Sequence, residues 1–184
     1  METREIQVYE LIESKASSNI ALQGLTGALG FPFTAIGDVA VFFTHYGPML
    51  NQIRVLYCRK PVPKESMMTI LDGCKSELLA DIVIDKVLGN LPVLGLPANM
   101  ICAKAMTWRL GILFGMLAAR GEEIDAENVK SAVQLIREMF PQRDSLLFKK
   151  PSISVTEKLL RSVEDTTVEA FESKMERILN ALNA

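Results

Sequence analysis

Few side chains in this sequence are of the types that carry out chemistry, and their spacing limits what they can do. His45 is the single histidine among 184 residues, so neither a multi-histidine metal site nor an imidazole pair for acid–base catalysis can be assembled. In an apolar stretch it reads as a hydrogen-bonded core residue. Asp81 and Asp85 lie one helical turn apart on a common face, as a carboxylate pair needs. No third ligand stands at a spacing that completes a metal site, so they read as a solvated face or as ion-pair partners. Cys58, Cys74 and Cys102 lack CxxC or Cys/His spacing, which fits core thiols in a reducing compartment. The phosphate-cradling G-x-x-x-x-G-K-[ST] is missing. Gly24, Gly27 and Gly30 follow no strand and open no Rossmann unit, so they read as helix-packing sequence. The expectation is a chain that is not an enzyme, with no catalytic, cofactor-binding or metal-binding residues and no cofactor.

Composition narrows the class. Twenty basic residues against 22 acidic ones give a formal net charge of -2, leaving no excess to neutralise phosphates; nucleic acid is not an expected partner. A 49% hydrophobic and 23% charged content excludes a disordered chain. The mean hydropathy of +0.21 is high, and the apolar residues are concentrated. Asp38 is the only formal charge between Lys15 and Arg54, and Lys104 and Arg109 are the only ones between Lys86 and Arg120. That distribution raises the membrane question. METREIQVYELIESK at the N-terminus has mixed charge and no apolar core, so it does not read as a signal peptide. A cytoplasmic location is expected, with peripheral or integral attachment to the inner membrane as the alternative.

The elements that must position these residues read as helices. Periodicity predicts an all-α, compact bundle of about six to seven helices, built from two apolar helix-turn-helix units plus a C-terminal amphipathic helix. Residues 3–29 form one or two helices with Ile6, Tyr9, Ile12 and Ala16 on one face, and Ser17, Ser18 and Asn19 as a candidate break. Asp38 is placed to cap a helix reaching Tyr57, kinked at Gly47-Pro48. A helix over 64–88 turns Met67, Ile70, Leu71, Leu78, Ile82 and Val87 inward. Pro97 opens a helix that runs to Ala119 and stops at Gly121. Asp125 precedes a helix over 126–140 with Val129, Val133, Ile136 and Phe140 inward. Similar turns at 30–37 and 89–97, with Leu50 set against Leu110, outline an internal repeat at an offset of about 60 residues. The domain reading is a helical core over 1–140, a linker over 141–154, and an amphipathic helix over 155–184 opened by a Ser154/Glu157 capping box.

Two features carry more information. Ala103, Thr107, Gly111, Gly115 and Ala119 recur every fourth residue, a seam of small side chains that lets another helix backbone approach closely. The segment 39–57 is the expected partner, and Trp108 and Arg109 then point away from the seam, toward lipid, water or a partner. Lys104 falls within the seam, where an ammonium is costly unless paired or able to snorkel; Asp38 is the favoured partner, with Asp81 and Asp85 as alternatives. Val168, Phe171, Met175, Ile178 and Leu182 alternate three and four apart, the pattern of a helix docked on its own core or used for self-association.

Pro32-Phe33, Asp38, Met49-Leu50, Ile53 and Tyr57, then Leu91-Pro92-Val93-Leu94-Gly95, Ala103, Thr107 and Leu110-Gly111 form a pattern over residues 20–120. It resembles the bacterial family of uncharacterised YcjF-like helical domains. Many members of that family carry the domain after a Ras- or Era-like GTPase domain, so the resemblance implies a GTPase as protein partner and association with a membrane. His45 stands where the family has glutamine and Cys58 where it has glycine. The chain holds no GTPase domain, so no nucleotide chemistry carries over. The expected function is a non-catalytic helical interaction module that self-associates as a homo-oligomer or docks a partner. The alternatives are an integral membrane protein with hairpins at 20–57 and 87–119, or a bundle enclosing a lipid.

Overall fold

A computed structural model of the chain describes residues 2–27, 42–74, 95–121, 124–140, 148–164, 166, 170, 174 and 177–180. Every regular element among these residues is helical. Helix α1 (Arg4–Gly27) passes through Ser17, Ser18 and Asn19 unbroken. Of the two readings, one helix or two, the structure has one: Ser18 Oγ donates to Lys15 O at 2.9 Å, one way a polar residue is accommodated inside a helix.

A π-helical turn, Phe42–Tyr46, leads into α2 (Gly47–Leu56), with Pro48 in the first turn. The discontinuity expected at Gly47-Pro48 is therefore a change of hydrogen-bond register. Proline has no N–H to give the α ladder and crowds the carbonyl four residues back, which the wider turn relieves. At the other end Arg59 N donates to Arg54 O and Cys58 N to Val55 O, each at 2.9 Å. This is a Schellman cap with Cys58 at its left-handed position, φ 55°. Cys58 is exposed, contrary to the expectation of a core thiol, whereas Cys74 is buried.

Helix α3 is described over 64–74, with Met67, Ile70 and Leu71 inward as expected; Leu78, Ile82, Val87 and the turn at 89–94 lie outside the described residues. Helix α4 (Gly95–Arg120) stops at Gly121, whose φ of 77° suits glycine. Asp125 caps α5 (Ala126–Met139), accepting from Asn128 N at 2.8 Å, and Val129, Val133 and Ile136 are buried. Helix α6 (Ile153–Ser162) begins at Ser152, whose Oγ accepts from Val155 N at 3.2 Å, two residues before the expected Ser154.

Helix α4 is the axis of the molecule, touching α1, α2, α5 and α6. All its residues from Ala105 to Arg120 are buried. That accounts for the high hydropathy of the segment, since a helix that is apolar all round belongs inside other helices as readily as inside lipid. Among the described residues no helix is long and apolar enough to cross a membrane. The expected linker is packed where it is described: the Phe148 ring lies 5.8 Å from that of Phe140, and Lys150 Nζ is 2.7 Å from Glu13 Oε1. The C-terminal segment is not one helix from 155, because α6 ends at Ser162 and helix resumes later, at 170, 174 and 177–180 among the described residues.

Candidate functional site

All five seam residues, Ala103, Thr107, Gly111, Gly115 and Ala119, are buried. A Cβ built on Gly111 would lie 2.5 Å from Ile12 Cγ1, and one on Gly115 would lie 2.9 Å from Leu160 Cδ2 and 3.5 Å from Val8 Cγ1. At Gly111 and Gly115 the seam is thus filled by α1 and α6, not by the segment 39–57, which meets the seam at Thr107 through Tyr46. The reason lies in α1, whose Val8, Ile12 and Ala16 recur at helical spacing and supply an aliphatic ridge for a groove of small residues. A surface already occupied within the chain does not serve a partner.

Trp108 and Arg109 do not point outward. Trp108 is fully buried with its ring 5.0 Å from that of Tyr9, and Arg109 is only 4% exposed. Burial lowers the Arg109 pKa from its ordinary value. The outward orientation assumed that α4 has a solvent face, and it has none from Ala105 on. Thr107 Oγ1 donates to Ala103 O at 2.8 Å, which lets a hydroxyl sit in the seam without an open donor. It also hydrogen-bonds Tyr46, whose pKa burial pushes up and this bond partly restores. Lys104 is half-buried. Its expected partner Asp38 lies outside the described residues, as do Asp81 and Asp85; the side chain of His45 and, in the C-terminal series, Val168, Phe171, Met175 and Leu182 are likewise outside. Ile178 is described and is 7% exposed, part of the main core.

Among the described residues, polar clusters join the helices. Arg120, buried at the end of α4, donates through Nη2 to Asn128 Oδ1 at 3.0 Å and through Nε to Thr166 O at 3.3 Å. Asn128 Nδ2 in turn donates to Asp125 Oδ2 at 2.9 Å. The second cluster joins α1 to α6: Arg161 reaches Glu157 at 2.7 Å and Glu5 at 3.6 Å, Arg4 reaches Glu5 at 3.7 Å, and Arg4 also pairs with Glu164. The Arg4 guanidinium stacks 5.1 Å from the centre of the Tyr57 ring. Burial first, then Glu5, raises the Tyr57 pKa. No group of three or more His, Cys, Asp or Glu able to hold a metal occurs among the described residues.

Among the described residues a groove of about 650 Å³ lies open between α1 and α2, lined by Gln7, Leu11, Asn51, Gln52, Val55 and Leu56. Val55 is 60% exposed, while Met49, Leu50 and Ile53 of the same helix are buried. The lining has no titratable or nucleophilic side chain. Its floor is aliphatic, and three carboxamides stand among the aliphatic residues. Sequence reasoning missed this site. The available signal was the pair Leu11 and Val55, each an aliphatic residue off the inward face of its own helix. Compared with family models, curated proteins and solved structures, the chain matches none.

Proposed function

We propose that the chain is a non-catalytic helical interaction module that docks a protein partner in the α1–α2 groove. The observation that carries this reading is the exposure of Val55 beside an aliphatic groove with carboxamides along it. An apolar floor with polar groups able to hydrogen-bond is the anatomy of a protein interface. A GTPase as that partner rests on the resemblance to YcjF-like domains alone. Self-association through the seam is not favoured, because α1 and α6 cover it.

The test is site-specific photo-crosslinking in cells, with the photoreactive residue at position 55 and, as control, at Ile153, which is 45% exposed on α6. A discrete adduct from position 55 that is absent from position 153 supports the reading. An adduct of twice the 20.4 kDa chain mass identifies a second copy as the partner. The same adducts from both positions, or none from position 55, overturn docking at this groove.

A further inference from the structure

We infer that the partner presents an acidic amphipathic helix: an aliphatic anchor enters the groove beside Val55 and Leu56, and carboxylates face the basic segment that adjoins it on the α2 side. The inference rests on the docking reading above and adds the chemistry of the ligand.

On the α2 side of the groove the chain folds back along the helix. Arg54 Nε donates to Lys60 O at 2.7 Å, Val62 N donates to Asn51 Oδ1 at 2.9 Å, and Lys64 Nζ lies 5.7 Å from the centre of the Phe43 ring. Residues 60, 62 and 64 therefore run beside 54, 51 and 43 in turn, antiparallel to the helix. Asn51 also lines the groove, so the returning segment adjoins it. From 54 to 64 the chain carries Arg54, Arg59, Lys60 and Lys64 and no Asp or Glu. Lys60 and Lys64 are exposed. Desolvation and then the neighbouring Arg59 hold the Arg54 pKa below the ordinary guanidinium value, which marks like charges kept close together. Pro61 and Pro63 stiffen the segment, so less order is lost when it meets a ligand.

The opposite bank, on α1, is different. It offers Gln7 and the exposed Glu10, and Arg4 at its end is engaged by Tyr57 and Glu164. Positive potential is thus concentrated on the α2 side, where it orients an acidic ligand and speeds its encounter. A helix laid in the groove also presents polar edges to the carboxamides of Gln7 and Gln52, which an acyl chain does not. A lipid surface fits less well, because a peripheral protein inserts protruding apolar side chains. Among the described residues the exposed large hydrophobic side chains, Val55, Ile101 and Ile153, sit on three different helices.

The experiment uses the full chain, immobilised, and a phage-displayed library of amphipathic helices. Leucines are fixed at i, i+4 and i+7, and the outward positions are randomised among Glu, Lys, Gln and Ala. Selected clones are re-measured as free peptides against the parent, Val55→Glu and the double variant Lys60→Glu/Lys64→Glu. All three substituted residues are exposed, and circular dichroism checks that each variant keeps its helices. The expected result is enrichment in Glu and loss of binding with Val55→Glu. The double charge reversal should weaken binding roughly fivefold to tenfold, the size of one or two exposed charge pairs. Added salt should weaken binding to the parent. Enrichment in Lys, or no charge preference, with binding still lost in Val55→Glu, overturns the acidic ligand and leaves the docking reading standing. Clones indifferent to Val55→Glu overturn docking in this groove. Binding to phosphatidylserine vesicles that the charge reversal abolishes, with no acidic clones, overturns the inference in favour of a membrane.

Discussion

Ile12 is what makes residue 111 a glycine: a Cβ there would lie 2.5 Å from Ile12 Cγ1, 2.8 Å from Cδ1 and 2.9 Å from Cγ2. Three atoms of one buried, β-branched side chain cannot all retreat. Gly111→Ala gains about 1 kcal/mol of helix propensity and loses roughly 1 to 3 kcal/mol to overpacking, so a net destabilisation is expected. At Gly115 the close atom is the end of the flexible Leu160 side chain, and Gly115→Ala should be near neutral. Urea unfolding of the two variants decides this, and equal midpoints would disprove it. Pairing Gly111→Ala with Ile12→Ala should show coupling above about 0.5 kcal/mol.

Cys58→Gly should stabilise the protein. The left-handed conformation at φ 55° costs an L-residue about 1 to 2 kcal/mol, and glycine returns roughly 0.5 to 1 kcal/mol of that through unfolded-chain entropy. A net gain of a few tenths to about 1 kcal/mol is expected. Cys58→Ala, with its Cβ retained, should show no such gain. Equal melting of the two variants would show that the backbone at 58 is not strained.

Arg120→Met keeps most of the volume and removes the fork that joins α4 to Asn128 and Thr166. Hydrogen bonds to a charged donor contribute about 1.5 to 3 kcal/mol each, so a loss of roughly 2 to 4 kcal/mol is expected. Hydrogen exchange should speed up around Thr166 before it does in α4. Uniform acceleration across the chain would mean that Arg120 does not hold the C-terminal segment in particular.

Stability should fall at alkaline pH through Tyr46 and Tyr57. Burial raises both pKa values above that of the unfolded chain, so the folded state holds these protons longer. Their contribution is complete below the unfolded value of about 10 and is lost as pH rises above it. Urea midpoints measured from pH 8 to about pH 11.5 should drop for the parent. They should drop less for Tyr46→Phe/Tyr57→Phe; an equal drop would assign the effect to other groups.

Some of this architecture is legible in short stretches of chain, because the interactions that set it act within one or two turns. Asp125 caps α5, Gly121 ends α4, and Met67, Ile70 and Leu71 share an inward face. The small residues from Ala103 to Ala119 announce close packing on their own, since only a neighbouring backbone or ridge fills such a surface. Which ridge fills it is a different matter. Ile12 and Leu160 lie far from Gly111 and Gly115 in sequence, and hydrophobic burial carries no address. Trp108 and Arg109 could not be placed from periodicity, because a helix covered on all sides has no polar face to orient it. The α1–α2 groove is likewise invisible in the chain. It is the space two packed helices leave between them, set by where Leu11 and Val55 end up once Val8, Ile12, Leu50 and Ile53 have been buried.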